Sequence, residues 1–226
     1  MTETGITPNI MTVQQRLQGL YLITDETLTP GDKLASCVRQ SILGGCRILQ
    51  YRDKGSRPDA RRQQSRLLQT LCRKNNVTFI INDDINLACE IGADGIHLGR
   101  QDLDPKAARR QAGADTIIGV SCYNNLDRAI DAERHGADYV AFGSFFPSAI
   151  KPDAVHAEIN LLVQARQRLT IPIVAIGGIT RVNGKELVDA GADMLAVISA
   201  VFGQNNVKSA ATGFQPLFTR PNGHGS

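Results

Sequence analysis

The sequence of 226 residues contains no tryptophan, and aromatic residues make up only 5% of it. No apolar run approaches the roughly 20 residues that a membrane-spanning helix needs, so we expect no membrane partner. The formal net charge is only +3, whereas a nucleic-acid-binding domain usually carries a strong basic excess. A GxGxxG fingerprint is also missing, which disfavours a dinucleotide-binding Rossmann domain. The composition therefore predicts neither a membrane protein nor a nucleic-acid binder.

Cysteine pairs with the spacing of metal or redox sites are missing as well. The five cysteines are scattered without a CxxC pair, which predicts reduced thiols rather than a zinc site or a disulfide framework. The segment from Met1 to Gln18 lacks the basic and then apolar pattern of an export signal. The cytoplasm is therefore the expected location. Hydrophobic residues at 42% and charged residues at 21% are typical of a chain that folds around one core.

What the sequence does contain is a regular alternation of two kinds of segment. Short apolar runs rich in β-branched residues predict strands at Leu20–Thr24, Ile48–Arg52, Thr78–Asn82, Gly95–Leu98, Ile117–Ser121, Tyr139–Gly143, Ile173–Gly177 and Met194–Ile198. Longer stretches between and after them predict helices at about Lys33–Leu43, Pro58–Lys74, Ile85–Ile91, Pro105–Gln111, Asn125–His135, Ala157–Arg168, Val182–Asp189 and Val207–Phe218. Eight such pairs favour the α/β class and a single-domain (β/α)8 TIM barrel over an open doubly wound sheet.

The tripeptide Gly-Ala-Asp recurs at 92–94, 113–115, 136–138 and 191–193, each time between a predicted helix and the next predicted strand. Its glycine is expected to end the helix in the left-handed conformation, and its aspartate leads into the strand. The barrel domain is predicted over 19–219, after an N-terminal extension over 1–18 and before a flexible C-terminal tail over 220–226. Both ends are expected to be frayed.

A barrel enzyme carries its site at the carboxyl ends of the strands, and the second predicted strand ends in Gln50, Tyr51, Arg52, Asp53 and Lys54. The two-residue period of a strand puts the Gln50 amide and the two cations on one side. One amide and two cations suit a polyanion such as diphosphate. A solvated strand end without a ligand is the alternative.

Carboxylates follow the next two predicted strands. Asp83 comes after the third strand, and Asp102 lies in the loop after the fourth. Mg²⁺ is usually held by one or two carboxylates together with substrate phosphates, so these residues predict one Mg²⁺ per subunit beside the cationic strand. The alternative role of a helix N-cap suits Asp84 better. His97, within the fourth strand, is expected to be a hydrogen-bonded barrel residue rather than a metal ligand or a base.

Residues suited to a second anion follow the last two strands. The seventh strand leads into Gly177-Gly178 and the eighth into Ser199-Ala200, and barrels often hold a phosphate with such backbone N–H groups and a helix start. Other residue types suited to anions or ring nitrogens are Ser121 at the end of the fifth strand, and Ser148 and Lys151 after the sixth. No general-base pair stands out. The pattern predicts group transfer from a diphosphate to a phosphorylated acceptor, by leaving-group stabilisation and positioning.

These motifs resemble those of the thiamine-phosphate synthase family. The segment 50–54 resembles its Q-x-R-x-K motif, and similar blocks follow in the family's order at 81–84, 94–102, 118–121, 137–151, 174–179 and 197–200. The resemblance covers about 19–202, nearly the whole predicted barrel. It implies a transferase that joins hydroxymethylpyrimidine diphosphate to thiazole phosphate, or to its carboxylated form, and releases pyrophosphate. It also implies a dissociative mechanism, in which pyrophosphate leaves before the thiazole nitrogen attacks.

The same resemblance implies roles for individual residues. It places the pyrimidine diphosphate against Gln50, Arg52, Lys54, Asn82, Ser121 and Lys151, with Tyr51 and Asp53 in the same segment. It makes Asp83 and Asp102 the Mg²⁺ ligands. It places the thiazole phosphate against Ser148, Gly178, Ile198 and Ser199, with Ala149 and Ile150 in the same loop as Ser148. The implied catalytic residues are Arg52, Lys54, Ser121 and Lys151. A homodimer is the expected assembly.

Two positions depart from the family pattern. Ile150 stands where the family usually has a second threonine, and Tyr123 stands where a histidine is common. Thiazole tautomerases, which share the barrel and the motif order, are implied to use that histidine and to lack the full diphosphate and metal set. A thiazole tautomerase-like barrel and a non-catalytic phosphate-binding metabolite sensor are the alternatives. The presence of Arg52, Asp83 and Asp102 favours the synthase.

Overall fold

Eight parallel strands form a closed barrel in chain order, and the last strand pairs with the first. The computed structural model describes residues 12–55, 57–147 and 155–219. The strands are β1 Gly19–Ile23, β2 Ile48–Tyr51, β3 Thr78–Asn82, β4 Gly95–Leu98, β5 Ile117–Tyr123, β6 Tyr139–Phe142, β7 Ile173–Ile176 and β8 Met194–Val197. The predicted TIM barrel is confirmed, and no strand end differs from its predicted position by more than two residues.

Helices connect the strands, and their starts follow local sequence signals. They are α1 Val13–Arg16, α2 Leu34–Leu43, α3 Pro58–Lys74, α4 Ile85–Ile91, α5 Pro105–Ala112, α6 Leu126–Arg134, α7 Asn160–Arg168, α8 Gly184–Asp189, α9 Ser199–Phe202, α10 Val207–Thr212 and a 3₁₀ helix Gln215–Phe218. Asp84 Oδ1 accepts the Leu87 N–H at 3.0 Å, which confirms its predicted N-cap role. Among the described residues, no helix is both long enough and apolar enough to cross a membrane.

Strand side chains alternate between two cores, as the period of two requires. Tyr21, Ile48 and Tyr139 belong to an inner cluster that consists of strand residues and Leu17. Leu22 and its counterparts on the other strands belong to an outer cluster, which also contains the buried residues of the helices. The strands are therefore buried on both faces, which explains why they are continuous apolar runs in the sequence.

Three of the Gly-Ala-Asp aspartates tie neighbouring strands together at their amino ends. Asp94, Asp138 and Asp193 each accept the N–H of a residue near the start of the preceding strand, at 2.8, 2.7 and 2.9 Å respectively. Each carboxylate also pairs with an arginine at 2.5–2.9 Å, the partners being Arg16, Arg109 and Arg166. The repeated motif thus stabilises the end of the barrel opposite to the predicted site.

The segment 12–18 corrects the prediction that the first 18 residues are frayed. Thr12 and Gln15 form a capping box at the start of α1, and Arg16 pairs with Asp94. Leu17 is fully buried in the inner cluster. Burial of this leucine holds the segment against the barrel. The rest of the predicted extension, 1–11, and the predicted tail, 220–226, lie outside the described residues.

Two glycines differ from the predicted helix ends. The predicted helix Val207–Phe218 is divided at Gly213, beside which the Arg181 side chain occupies the space that a Cβ would need. Gly92 ends α4 in the left-handed conformation as predicted, whereas Gly113 combines φ 92° with an extended ψ of 170°. A Gly-Ala-Asp motif therefore predicts a positive φ at these helix ends but not one fixed cap geometry.

Candidate active site

A cavity of about 360 Å³ lies at the carboxyl ends of the strands. A cavity of this size is typical of a small-molecule site. It is lined by seven of the predicted site residues, namely Gln50, Arg52, Asn82, Ser121, Gly178, Ile198 and Ser199. The structure therefore brings together residues that are far apart in the sequence and that were assigned to two different phosphorylated substrates.

A wider cavity of about 730 Å³ adjoins the first and is lined by residues of α5 and α6. Tyr123 and Val155 line both cavities. Tyr123 has a left-handed backbone with φ 57°, at the point where the register between β5 and β6 shifts. The residue that replaces the family's common histidine thus stands at the junction of the two cavities.

The end of β2 divides its side chains between the cavity and α3. Gln50 and Arg52 line the cavity, but the Tyr51 hydroxyl donates to Gln64 Oε1 on α3 at 2.7 Å. Asp53 Oδ1 accepts the N–H of the nearby Gly55 at 2.9 Å. Neither Tyr51 nor Asp53 lines the cavity, so the structure does not bring these two predicted binding residues to it.

Lys54, Asp83 and Asp102 meet where β2, β3 and β4 end. Lys54 Nζ lies 3.5 Å from Asp83 Oδ2, and Asp102 is close enough to Asp83 for the charge of Asp83 to act on the Asp102 carboxyl. Asp102 Oδ2 also accepts the Gly99 N–H at 2.6 Å. Burial raises the pKa of Asp102 and the adjacent Asp83 carboxylate raises it further, although the Gly99 N–H and the Lys54 charge act in the opposite direction. The two carboxylates thus repel each other, and a cation between them would relieve that repulsion.

The two carboxylates also face one point in space. A Cβ built on Gly99 would lie 3.0 Å from Asp102 Oδ2 and 3.9 Å from Asp83 Oδ1. The left-handed backbone of Asp83, with φ 61°, turns the chain from β3 towards α4, and aspartate tolerates this conformation better than most residues. Within 12–55, 57–147 and 155–219 there is no group of three or more His, Cys, Asp or Glu that could hold a metal. The pair fits a Mg²⁺ ion that takes its other ligands from water and phosphate oxygens.

Backbone geometry prepares the opposite wall of the cavity for an anion. Gly177 and Gly178 follow β7 with φ of 105° and 60°, which favour glycine. A Cβ on Gly177 would overlap Ser144, and one on Gly178 would overlap a backbone carbonyl of the loop after β6. Ser199 begins α9 on the same wall, and the first N–H groups of a helix have no intrahelical partners. Backbone N–H groups of two segments can therefore bind a phosphate here.

A chain of buried polar side chains runs through the inside of the barrel from one wall of the cavity to the other. Gln50 Nε2 donates to the Tyr21 hydroxyl at 2.7 Å, and the hydroxyls of Tyr21 and Tyr139 are 2.8 Å apart. The Tyr139 hydroxyl lies 3.0 Å from His97 Nδ1, and His97 Nε2 lies 2.8 Å from Ser121 Oγ. His97 is confirmed as a hydrogen-bonded barrel residue. Burial raises the pKa of both tyrosines, so both hydroxyls keep their hydrogens at neutral pH.

Four predicted site residues that follow β6 in the sequence lie outside the described residues. They are Ser148, Ala149, Ile150 and Lys151. The roles of these four stay predictions from the sequence.

Two further residues position the site without having been predicted to do so. Thr24, the last residue of the first predicted strand, donates from Oγ1 to the Arg52 carbonyl at 3.0 Å and accepts the Arg52 N–H at 2.8 Å. Arg128 on α6 donates to the Ser121 carbonyl at 2.9 Å and to the Gly99 carbonyl at 3.2 Å. The threonine at a strand end was a usable signal, whereas nothing in the local sequence distinguishes Arg128 from other helical arginines.

Comparison with known proteins agrees with this geometry. The family model described as thiamine monophosphate synthase matches residues 20–201. The chain is 48% identical to a thiamine-phosphate synthase of Nitrosospira multiformis over 215 residues, which cover 94% of this chain and 91% of the relative. It is similar in fold to a solved thiamine phosphate pyrophosphorylase from Pyrococcus furiosus, with a TM-score of 0.84 and 34% identity over 92% of this chain and 98% of that one. The chain therefore belongs to the thiamine monophosphate synthase family.

Proposed function

We propose that this chain is a thiamine-phosphate synthase, a transferase that joins hydroxymethylpyrimidine diphosphate to thiazole phosphate, or to its carboxylated form, and releases pyrophosphate. The observation that carries the proposal is the meeting of Lys54 with the Asp83–Asp102 pair at the end of the barrel where Arg52 lines a cavity. Cations next to paired carboxylates suit a magnesium-bound diphosphate. Membership of the family and the names of the similar proteins support the same activity.

Charge stabilisation comes from Arg52, which lines the cavity, and from the neighbouring charged residues at the ends of β2, β3 and β4. Asp83 and Asp102 are the residues that would hold Mg²⁺, one ion per subunit. A bound Mg²⁺ neutralises part of the charge of a leaving diphosphate. Arg52 and Lys54 bind the phosphate oxygens and hold them as negative charge builds on the leaving group. Lys151 is predicted to add a third cation from the loop after β6.

The reaction needs positioning more than proton transfer. The bond between the pyrimidine methylene carbon and the diphosphate oxygen breaks, and pyrophosphate leaves with the electron pair. The electron-rich aminopyrimidine spreads the positive charge that remains, and the lone pair of the thiazole nitrogen then forms the new C–N bond. With thiazole phosphate as the acceptor, no proton moves in either step, so the site needs no general base. With the carboxylated form, the carboxyl group must leave as CO₂ after the C–N bond has formed, and the ring carbon that carried it takes up one proton from water. Effective concentration of the two reactants in one cavity supplies much of the rate.

The residues that line the cavity fall into two groups, one assigned to each substrate. Gln50, Asn82 and Ser121 are assigned to the pyrimidine, and the residues assigned to the thiazole phosphate are Gly178, Ile198 and Ser199. Because both groups line one cavity of about 360 Å³, two bound substrates would be held in contact.

Release of pyrophosphate tests the proposal. The chain is mixed with both substrates and Mg²⁺, and pyrophosphate and thiamine phosphate are measured together. Equal amounts of the two products, and none when either substrate is omitted, are expected. A thiazole tautomerase-like barrel would isomerise the thiazole without releasing pyrophosphate, and a metabolite sensor would bind substrates without turnover. Either of these results would contradict the proposal.

The proposal also covers the location, the assembly and the domain bounds of the protein. We place the protein in the cytoplasm, as a homodimer whose barrel spans 19–219, with the segment 12–18 packed against it through Leu17. The five cysteines are all free, which supports a reducing compartment. Light scattering on the purified chain tests the dimer, and removal of 220–226 without loss of thermal stability would support the domain boundary.

A further inference from the structure

We call the series of hydrogen bonds from Gln50 through Tyr21, Tyr139 and His97 to Ser121 the buried relay. Its hydrogen bonds all donate in one direction, which is set by the Gln50 amide. Because Gln50 Nε2 donates to the Tyr21 oxygen, the Tyr21 hydrogen points to Tyr139. The Tyr139 oxygen then accepts, and its own hydrogen points to His97 Nδ1. With Nδ1 as an acceptor, a neutral imidazole carries its hydrogen on Nε2, which donates to Ser121 Oγ. With the Gln50 amide in this orientation, the opposite direction would leave the buried Tyr21 hydrogen without an acceptor among these five residues, which is costly for a buried hydroxyl.

Packing prevents the side chains of the relay from forming hydrogen bonds with other partners. The Tyr139 ring lies against Gly119 of β5, where a Cβ would overlap both the ring and the hydroxyl. It stacks on His97 with ring centroids 5.6 Å apart, and its edge meets Tyr21 at 6.1 Å. Tyr21 and Tyr139 are both fully or almost fully buried. Their hydroxyls are therefore held in place by the barrel and not by solvent.

We propose that Tyr21, Tyr139 and His97 are positioning residues that hold the Gln50 amide and the Ser121 hydroxyl in one orientation each, and that this orientation selects an amino group over a carbonyl group on the pyrimidine substrate. The proposal rests on the proposed function and deepens it by naming how the substrate class is chosen. With Nε2 engaged by Tyr21, Gln50 offers its carbonyl oxygen to a ligand in the cavity that it lines. That oxygen accepts a hydrogen bond from an exocyclic amino group.

An oxo group at the same position of the pyrimidine would set two acceptors against each other. A Gln50 amide that could rotate by 180° would form a hydrogen bond with an amino group or with an oxo group equally well. Discrimination therefore depends on the Tyr21 contact and, through it, on Tyr139. Ser121, which accepts from His97 at the other end, is left with its own hydrogen to donate to a ligand in the cavity.

The test compares the binding of two probes, 4-amino-2-methyl-5-hydroxymethylpyrimidine diphosphate and its 4-oxo analogue, by calorimetry with Mg²⁺. The wild-type chain is expected to bind the amino probe roughly tenfold or more tightly than the oxo probe. Tyr139→Phe keeps the ring and removes the central hydroxyl, so the preference is expected to fall about tenfold. An unchanged preference in folded Tyr139→Phe would overturn the proposal, because a merely structural tyrosine would weaken both probes alike.

Ser41→Ala is the matched control. The Ser41 hydroxyl is equally buried but donates to the Val38 carbonyl within α2 at 2.8 Å, so its loss is expected to lower stability and leave the preference intact. A Ser41→Ala variant that also lost the preference for the amino probe would contradict the proposal that the relay sets this preference.

Nitrogen-15 NMR of the ligand-free wild-type chain gives a second measurement that needs neither activity nor a folded variant of Tyr139. The His97 signal, assigned by its loss in His97→Gln, is expected to show the tautomer with hydrogen on Nε2. Hydrogen on Nδ1 would overturn the proposal. Failure of the wild-type chain to bind either probe would instead refute the proposed function, while the tautomer would still decide whether the relay has the stated direction.

Discussion

The Lys54 ammonium lies 3.5 Å from Asp83 Oδ2, so a cation assigned to the diphosphate contacts a carboxylate assigned to Mg²⁺. The two assignments are linked by charge. A divalent cation at Asp83 and Asp102 would repel the ammonium, which would then be available to the phosphate oxygens. Binding of the metal and binding of the diphosphate are therefore expected to be coupled rather than independent.

Lys54→Ala tests this coupling. Loss of the competing ammonium is expected to tighten the binding of Mg²⁺ alone, while the binding of pyrophosphate in the presence of Mg²⁺ weakens by about tenfold or more, as for a lost charge-assisted hydrogen bond. Calorimetry with Mg²⁺ alone and then with pyrophosphate separates the two effects. Weakening of Mg²⁺ binding by Lys54→Ala would contradict the arrangement.

Removal of one carboxylate should make the metal requirement visible in the rate. Asp83→Ala is expected to lose most turnover while the barrel stays folded, because a metal ion at a leaving group is worth several kcal/mol of the barrier. Steady-state rates against Mg²⁺ concentration measure the effect. Asp84→Asn is the control, since asparagine is also a good N-cap for α4 and Asp84 is not assigned to the metal. Full activity of Asp83→Ala in the presence of a chelator would contradict the metal assignment.

Burial of Asp102, together with the nearby Asp83 carboxylate, predicts a change of stability with pH. Because the pKa of Asp102 is raised in the folded chain, its contribution to stability is present below its ordinary pKa and is lost as the pH rises through the folded value. Asp102→Asn should therefore raise the melting temperature at pH 7 without Mg²⁺, with little change at pH 3. Added Mg²⁺ should stabilise the wild-type chain and not the variant. Melting curves at the two pH values check this, and a lower melting temperature of the metal-free variant at pH 7 would contradict it.

The positions of the barrel elements could be predicted largely from the sequence. Pro58–Lys74 and Thr78–Asn82 were predicted with their observed ends. The proline fixes the helix start, and the strand is a short β-branched and apolar run that ends at Asn82, before two aspartates. The carboxyl ends of the strands were then enough to place Gln50 and Arg52 in one cavity, because the barrel topology brings all strand ends together.

The buried relay could not be predicted in the same way. Tyr21 and Tyr139 are ordinary strand residues by their local pattern, and they contact each other only because closure of the barrel brings β1 and β6 across one interior. The space that Tyr139 fills exists because Gly119 lacks a side chain. Contacts of this kind depend on residues far apart in the sequence, and the same is true of Arg128, which reaches from α6 to β5 and to the residue after β4.

Loss of a cation at the diphosphate should act on the chemical step. Arg52→Ala is expected to lower kcat more than it raises KM for the pyrimidine diphosphate, because the charge that Arg52 faces grows as the bond to pyrophosphate breaks. Lys151→Ala is expected to behave alike. Arg62→Ala is the control, since Arg62 pairs with Glu90 on the surface. A variant Arg52→Ala with unchanged kcat and only a raised KM would indicate uniform binding of ground and transition states.

Ile150 offers a gain-of-affinity test of the thiazole site. It follows β6 in the sequence, at a position where the family usually has a second threonine, and an apolar side chain cannot donate to a phosphate or a carboxylate. One neutral hydrogen bond contributes roughly 0.5–1.5 kcal/mol, or about a three- to tenfold change in affinity. Gly178 and Ser199, with their backbone N–H groups, are expected to keep the wild-type chain active.

Ile150→Thr should therefore lower KM for thiazole phosphate by about three- to tenfold and leave KM for the pyrimidine diphosphate nearly unchanged. Steady-state rates with one substrate varied and the other saturating measure both values. Ile150→Val is the matched control, because valine has the shape of threonine without the hydroxyl. Equal effects of threonine and valine would show that side-chain volume matters at this position and not hydrogen bonding. An inactive wild-type chain that gained synthase activity with Ile150→Thr would instead identify a degenerate family member and favour the metabolite sensor.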